Sequence, residues 1–374
     1  MKFVTERAAL LAVLAAAVRI VSPRTTIPIL SNLLIEASGD AVTVTTTNLD
    51  MRVSARVPAE VEQPGATTLP AKILHDVVRA LPADARLTVD APEGDRATLR
   101  HGRSRQTLAT LPAGDFPDEG VGTFPKTFEI VGATLARQLA RCMIAVSTEE
   151  TRYYLNGVLF HAHALGDDGP ELRLVSTDGH RLVQSALALP TGAEDLPWTI
   201  LPRAAATEVQ KLAAAASGPV ACAFGDRLVS FTFPNGLKLV SKTIDGSFPD
   251  YGRVVPVGND KRVSVPRASL TGALERVSLV RDAESRGGPV RFTAAPDGGL
   301  TLRVNTPTNE AVEQVDAETD HHFETGFNPN YLRELLGAVD GETIEFDLAD
   351  AGSPALFRAA GDRSTTCVLM PMRV

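Results

Sequence analysis

The residues best suited to chemistry in this chain lie in Thr177-Asp178-Gly179-His180-Arg181. An aspartate and a histidine two positions apart share a face on an extended strand, and an acid that orients an imidazole is the core of a general acid–base pair. Such a pair also needs a nucleophile, an anion-binding loop or a metal to work with. The sequence has no G-x-S-x-G, P-loop, H-E-x-x-H or G-x-G-x-x-G. His321-His322 is a pair without further spaced metal ligands. Cys142, Cys222 and Cys367 are far apart, odd in number and free of a C-x-x-C spacing. A disulfide framework or zinc site does not follow from them, and a reducing cytoplasm does. The chain therefore reads as a binding scaffold and not an enzyme, and it calls for no cofactor and no metal.

What must position any such site is large. The 374 residues exceed one typical core and predict two or three domains. A single tryptophan and four tyrosines argue against an aromatic-rich binding surface. The apolar stretch Ala8–Val18 follows Glu6-Arg7 and places Leu10, Leu11 and Leu14 at helical spacing, which predicts an amphipathic first helix and not a secretion signal. No apolar run reaches the roughly 20 residues of a membrane span, so no membrane partner is expected.

The chain repeats itself. GDFPDEG at Gly114–Gly120 returns as GSFPDYG at Gly246–Gly252. Leu69-Pro70, Leu201-Pro202 and Asn328-Pro329 each open a helix-like run, with proline where its missing N–H is harmless. TERAALLAVLAAAV, GATLARQLARCMIAV and PRASLTGALERVSLV each predict an amphipathic helix, followed by strands at Leu33–Ala37, Val158–Ala162 and Val290–Ala294. Each copy thus reads helix, strands, helix, strands, with boundaries 1–125, 126–253 and 254–374 and an α+β fold class.

A net charge of −8 speaks against a simple nucleic-acid binder, but its distribution matters more. The six predicted helices, counted with Glu6, hold eleven basic and five acidic residues, so they carry +6 and everything else −14. Arg137 and Arg141, and Lys72 and Arg79, share helix faces. If all helices faced one way, that surface would attract a phosphate backbone without reading sequence. Six helices lining a ring would leave a hole of roughly 9 Å, and twelve a hole of roughly 28 Å. A duplex with grooves about 8 Å deep passes only the second, so a ring would need two chains.

TRYYLNGVLF at Thr151–Phe160, STDGHRLV at Ser176–Val183, FPDYGRVVP at Phe248–Pro256, the final MPMRV at Met370–Val374, PILSNLLIEA at Pro28–Ala37 and TTNLDM at Thr46–Met51 complete the pattern. With the triplication they make the chain resemble, end to end, the bacterial DNA sliding clamps, the β subunits of DNA polymerase III. The resemblance implies three tandem clamp domains, helices inside and antiparallel sheets outside, with two chains closing head to tail into a six-domain ring. Such a ring encircles duplex DNA, is loaded by an ATP-driven clamp loader, and tethers the polymerase α subunit.

The family's partner-peptide pocket maps onto Leu155, Thr177, Gly179, His180, Arg181, Leu182, Pro249, Arg253, Val254, Val368, Leu369, Met370, Pro371 and Met372, bordered by Asn328 and Tyr331. An apolar slot of Leu, Val, Pro and adaptable Met suits a short linear peptide. The polymerase, the loader, other polymerases and repair proteins would compete for it. For DNA, the resemblance points to Arg24, Tyr153 and Tyr154, and the basic helix residues Lys72, Arg79, Arg137, Arg141 and Lys211 fit the same face. Glu149 stands where many relatives carry an amide, and an acid there would weaken phosphate contact. At the dimer joint, Arg103, Arg105 and Leu108 should meet Leu279, Val280, Glu310 and Glu313, with Gln106 at a position often aromatic. A tandem-repeat adaptor that binds only protein would share the repeats and the slot, and stays the second reading.

Overall fold

The computed structural model describes residues 1–21, 25–118, 122–166, 169–281 and 288–374. Six α-helices are present among them: α1 (Arg7–Ile20), α2 (Ala71–Ala80), α3 (Gly132–Met143), α4 (Arg203–Ala214), α5 (Arg267–Ser278) and α6 (Pro329–Ala338). By packing, the chain divides into two compact units, Met1–Ala133 with Lys211–Thr243, and Thr134–Gln210 with Ile244–Val374.

The triplication is visible in the strand order. In the first copy one antiparallel sheet runs Lys2–Glu6, Arg86–Asp90, Arg96–His101, Ser104–Ala109, and a second runs Gly65–Pro70, Asn32–Ser38, Ala41–Thr47, Met51–Gln63. The second copy repeats the first order in Lys126–Val131, Pro219–Phe224, Leu228–Thr232, Lys238–Lys242, and the second in Thr199–Pro202, Gly157–Gly166, Gly169–Thr177, Arg181–Ala188. The third copy does so in Lys261–Pro266, Thr343–Leu348, Ala355–Ala359, Asp362–Leu369 and in Phe323–Phe327, Val290–Ala295, Gly299–Asn305, Glu310–Val315.

Copies join by strand pairing. In the first unit Met51–Ser54 pairs with Lys238–Ser241. In the second, Arg181–Ser185 pairs with Thr365–Leu369. Each joint sets the last strand of one copy's second sheet against the last strand of the next copy's first sheet.

Every copy opens on a strand and not on a helix, which corrects the predicted order. KFVTE, KTFEIV and KRVSVP bury alternate residues, Phe3 and Thr5, Phe128 and Ile130, Val263 and Val265. Glu6 ends the first of these strands, so the helices carry eleven basic and four acidic residues, more positive than predicted. Not all of that charge is available. The Arg7 guanidinium donates to the carbonyls of Val78 (3.2 Å) and Arg79 (3.0 Å), where the C-terminus of α2 favours a cation.

The amphipathic faces close the cores. Leu10, Leu14 and Ala17 of α1 and Leu74 and Val78 of α2 pack with Phe3, Leu33, Ile35, Val44, Leu87 and Leu99. Each fully buried leucine contributes about 1.5–3 kcal/mol of transfer free energy. Ile73, beside Leu74 on α2, is exposed. In the second unit α5 buries Leu270, Leu274 and Val277, and α6 buries Leu332, Leu335 and Leu336.

Arg141 corrects another expectation. It shares a face with exposed Arg137 on a helical wheel, yet it is buried. Its guanidinium donates to Gln138 Oε1 (3.2 Å) and Ser185 Oγ (3.4 Å) and pairs with Asp340 at 2.5 Å. It therefore ties α3 to the turn after α6 and is not an exposed cation. Removing the acid strands a buried charge, whereas removing the arginine leaves a carboxylate that is 59% exposed to water. Asp340→Ala is therefore expected to destabilise the protein by about 2–3 kcal/mol, below the roughly 3–5 of a fully buried pair. Arg141→Met should cost about 1 kcal/mol, because its apolar stem is kept. Urea denaturation of both variants checks the order, and equal costs or the reverse order would contradict it.

Candidate peptide site and nucleic-acid face

The Thr177–Arg181 segment is a tight turn built by its own side chains. Thr177 Oγ1 donates to the Arg181 carbonyl (2.7 Å) and accepts from the Gly179 N–H (3.1 Å). Asp178 Oδ1 accepts from the backbone N–H of His180 (2.9 Å) and Arg181 (3.0 Å), and its Oδ2 from Arg181 Nε (3.1 Å). The aspartate is thus committed to the turn and does not orient the His180 imidazole, which removes the acid–base pair that the spacing allows. Gly179 sits at φ +88°, where a side chain is disfavoured. His180 stacks on Tyr331 with ring centroids 5.9 Å apart, and the Arg181 guanidinium lies 4.4 Å from the same ring while binding Glu334 at 2.6 Å.

Leu155, Leu182, Val368 and Leu369, predicted as pocket walls, are all buried. The first three form a floor with Leu159, Phe248 and Tyr251. The surfaces that meet solvent are Gly179 and His180, Pro249, Arg253 and Val254 around the 3-10 turn Tyr251–Arg253, and Met370. Pro371, Met372 and Tyr331 are half-buried. Asn328 works indirectly: its side chain accepts from the Asn330 and Tyr331 N–H groups, capping α6 and so placing the Tyr331 ring. Arg253 is held by Asp250 at 3.0 Å.

The C-terminal segment is laid against this floor by two backbone bonds, Met370 N–H to the His180 carbonyl (2.9 Å) and Met372 N–H to the Gly326 carbonyl (2.8 Å). Gly326 is required for the second, since a Cβ there would stand 2.8 Å from the Met372 oxygen and closer still to the Val374 side chain.

Two residues escaped the sequence reading. Arg152 forks onto Glu149 (Nε 2.8 Å, Nη2 2.7 Å), and its Nη1 lies 2.6 Å from where a Cβ on Gly179 would be. Its guanidinium therefore covers the glycine at the mouth of the slot. The arginine's hydrogen bonds hold the Glu149 carboxyl below its usual range, so the acid at this position is neutralised locally. The signal was the Glu149–Arg152 spacing of three within a short helical turn.

The other is His161, buried beneath Tyr251. Its Nδ1 faces the Ala162 carbonyl at 2.9 Å and must carry the proton, so Nε2 accepts from the Tyr251 hydroxyl at 2.8 Å. Burial, seconded by the charge of Arg173 and by His163, pushes its pKa down. The unfolded chain, with an ordinary histidine pKa of about 6.5, then binds the proton first on acidification. Stability is expected to be flat above that value and to fall as pH drops through it. Thermal denaturation between about pH 7.5 and 5.5 should show this slope, and His161→Gln should flatten it. An unchanged slope would assign the acid sensitivity elsewhere.

For nucleic acid, Lys72, Arg79, Arg137 and Lys211 are exposed on α2, α3 and α4, with Arg79 also pairing to Asp76 at 3.2 Å. Tyr153 is 52% exposed, whereas Tyr154, 5.8 Å from it edge-on, leans on the peptide-site floor. Of the two tyrosines Tyr153 is the more exposed. Arg24 lies outside the described residues.

Three family profiles match in order: DNA polymerase III beta subunit N-terminal domain at residues 1–119, central domain at 129–250 and C-terminal domain at 252–373. The chain belongs to the DNA polymerase III beta subunit family. It is 39% identical to the beta sliding clamp of Caulobacter vibrioides and 34% to that of Escherichia coli K12, each over the whole of both chains. It superposes on the crystal structure of a Bartonella birtlesii sliding clamp bound to griselimycin with TM-score 0.94 at 37% identity, and on the Caulobacter crescentus clamp with 0.94 at 38%, again over the full length of both. Members of this family are DNA polymerase processivity factors, and this chain is one of them.

In this clamp the residues expected at the dimer joint fall into two groups. Arg103 and Arg105 are exposed, Leu279 is 83% exposed and Val280 half-buried. Leu108 is buried in the first unit's core, and Gln106, two positions before it on the same strand face, is half-buried. Glu313 and Glu310 already have partners, Arg276 at 2.6 Å and Arg303 at 3.7 Å, so neither is a free acid awaiting Arg103 or Arg105.

Proposed function

We propose that two copies of this chain close head to tail into a six-domain ring that encircles duplex DNA. One observation carries this reading. Both joints inside the chain pair the last strand of a second sheet with the last strand of the following first sheet. The strands left in those two roles are Glu310–Val315 and Ser104–Ala109, and each has a strand partner on one side only among the described residues. A second chain offers each of them the missing mate, and the heterologous contact closes after two chains. Leu279, exposed just beyond α5, supplies apolar surface near the first of these edges, and α5 packs on Glu310–Val315.

On this reading the exposed cations of α2, α3 and α4 and Tyr153 face DNA and hold it without regard to sequence. The slot over Leu155, Leu182 and Val368 takes a linear peptide, for which the polymerase α subunit, the clamp loader and other polymerases and repair proteins compete. On this reading the chain does no chemistry itself, and the engagement of Asp178 in its own turn supports that. Three buried free thiols fit a reducing cytoplasm. On this reading the three clamp domains run 1–125, 126–253 and 254–374. Calorimetric titration with a peptide from the polymerase α subunit tests the slot. One peptide per chain is expected, and no saturable heat at high micromolar peptide would contradict it.

A further inference from the structure

The turn at the peptide site has a twin in the first unit. Thr47 Oγ1 donates to the Met51 carbonyl (2.9 Å) and accepts from the Leu49 N–H (2.9 Å). Asn48 Oδ1 accepts from the N–H groups of Asp50 (3.1 Å) and Met51 (2.7 Å). These are the same bonds, position for position, that Thr177 and Asp178 make. The strand that follows is joined in the same way too: Lys242 N–H donates to the Asp50 carbonyl at 2.9 Å, as Met370 N–H does to His180.

The apolar floor is also repeated. Asn32 pairs with Pro70 as Gly157 pairs with Pro202, so Leu34 and Leu30 occupy the places of Leu159 and Leu155. The repeated Phe-Pro-Asp supplies Phe116 to one floor and Phe248 to the other. Ile29, Leu30, Leu34 and Phe116 are buried together, as Leu155, Leu159 and Phe248 are in the other joint.

Of the five turn positions only the threonine is shared, and the third is the one that decides the space above the floor. Gly179 is replaced by Leu49, at φ +75°. A leucine is disfavoured there and a glycine is not. Its side chain packs on the Ile29, Leu30, Leu34 and Phe116 cluster. At Gly179 the three atoms nearest to where a Cβ would stand all belong to the guanidinium of Arg152, the far end of a flexible side chain.

We propose that the joint carrying Leu49 is a second copy of the peptide site, closed by Leu49 as a built-in stand-in for the aliphatic side chain of a linear partner peptide. The residue at the third position of the turn thereby decides which joint accepts a peptide. This rests on the reading of the Gly179 joint as the peptide site.

The test is calorimetric titration of full-length protein with the polymerase α-subunit peptide. Wild type should bind one peptide per chain, and Leu49→Gly two, the second more weakly. Leu49→Asn, which introduces a residue tolerant of positive φ and removes the aliphatic plug, should also gain a site. Gly179→Leu should lose at least tenfold in affinity, and the Leu49→Gly, Gly179→Leu double variant should bind one peptide. If wild type binds one peptide and both folded Leu49 variants still bind only one, the plug is wrong while the peptide site stands. If wild type binds none, the peptide site falls and the plug with it.

Discussion

Removal of Met370–Val374 is expected to weaken partner-peptide binding by about 100-fold or more, near 3 kcal/mol, while leaving the sedimentation of the protein unchanged. The segment provides Met370, the exposed apolar side chain on one side of the slot, and Met372 and Pro371 beside it. It is held by the two backbone bonds to His180 and Gly326, neither of which belongs to the strand edges assigned to ring closure. Interface energy concentrates in a few well-packed apolar anchors, so loss of one wall of a narrow slot removes most of the affinity. The strand Asp362–Leu369 ends before the cut, and its pairing with Arg181–Ser185 survives. Calorimetry and sedimentation velocity on the truncated chain check both halves. Retained affinity would move the peptide elsewhere, and dissociation of the dimer would move the tail into the joint.

Leu279→Asp is expected to raise the dimer dissociation constant by about 100-fold, since it buries an unpaired carboxylate in an apolar contact. Leu279 is 83% exposed in the single chain, so the substitution has little to disturb until two chains meet. Charge reversal at Arg103 and Arg105 should act in the same direction but less strongly. The acids placed opposite them, Glu310 and Glu313, are already satisfied by Arg303 and Arg276. Sedimentation velocity across a dilution series separates these cases. A Leu279→Asp protein that stays dimeric at the same concentrations as wild type would remove this residue from the joint.

The triplication was legible because its markers are local: the Phe-Pro-Asp turns, the proline-led helices, and the i, i+3, i+4 stripes that became the buried faces of α2 and α6. The leading strands were not, because five alternating residues such as KFVTE run directly into a helix and the longer periodic signal absorbs them. The compact units cut across the second copy because sheets continue through the joints, and strand pairing between copies leaves no local pattern. At the candidate site, residue type and resemblance named Gly179, His180, Tyr331 and Met370, which the fold brings together, but they could not say which apolar residues lie buried beneath them. Arg141 and Leu108 are both buried in the chain, which sharing a helical or strand face does not reveal. Arg152 and Leu49 depend on what crosses a turn in space, which sequence spacing does not report.

The central claim is topological, and the most direct measurement is retention on nicked circular plasmid before and after a single cut, following loading by the cognate clamp loader with ATP. The ring predicts that the protein stays on the circle at high salt and leaves once the DNA is linear, because it is held by enclosure and not by phosphate contacts that salt would strip. Loaded protein that salt removes from the circle, or that linearisation does not release, would contradict the ring and favour an adaptor that meets DNA by ordinary electrostatics.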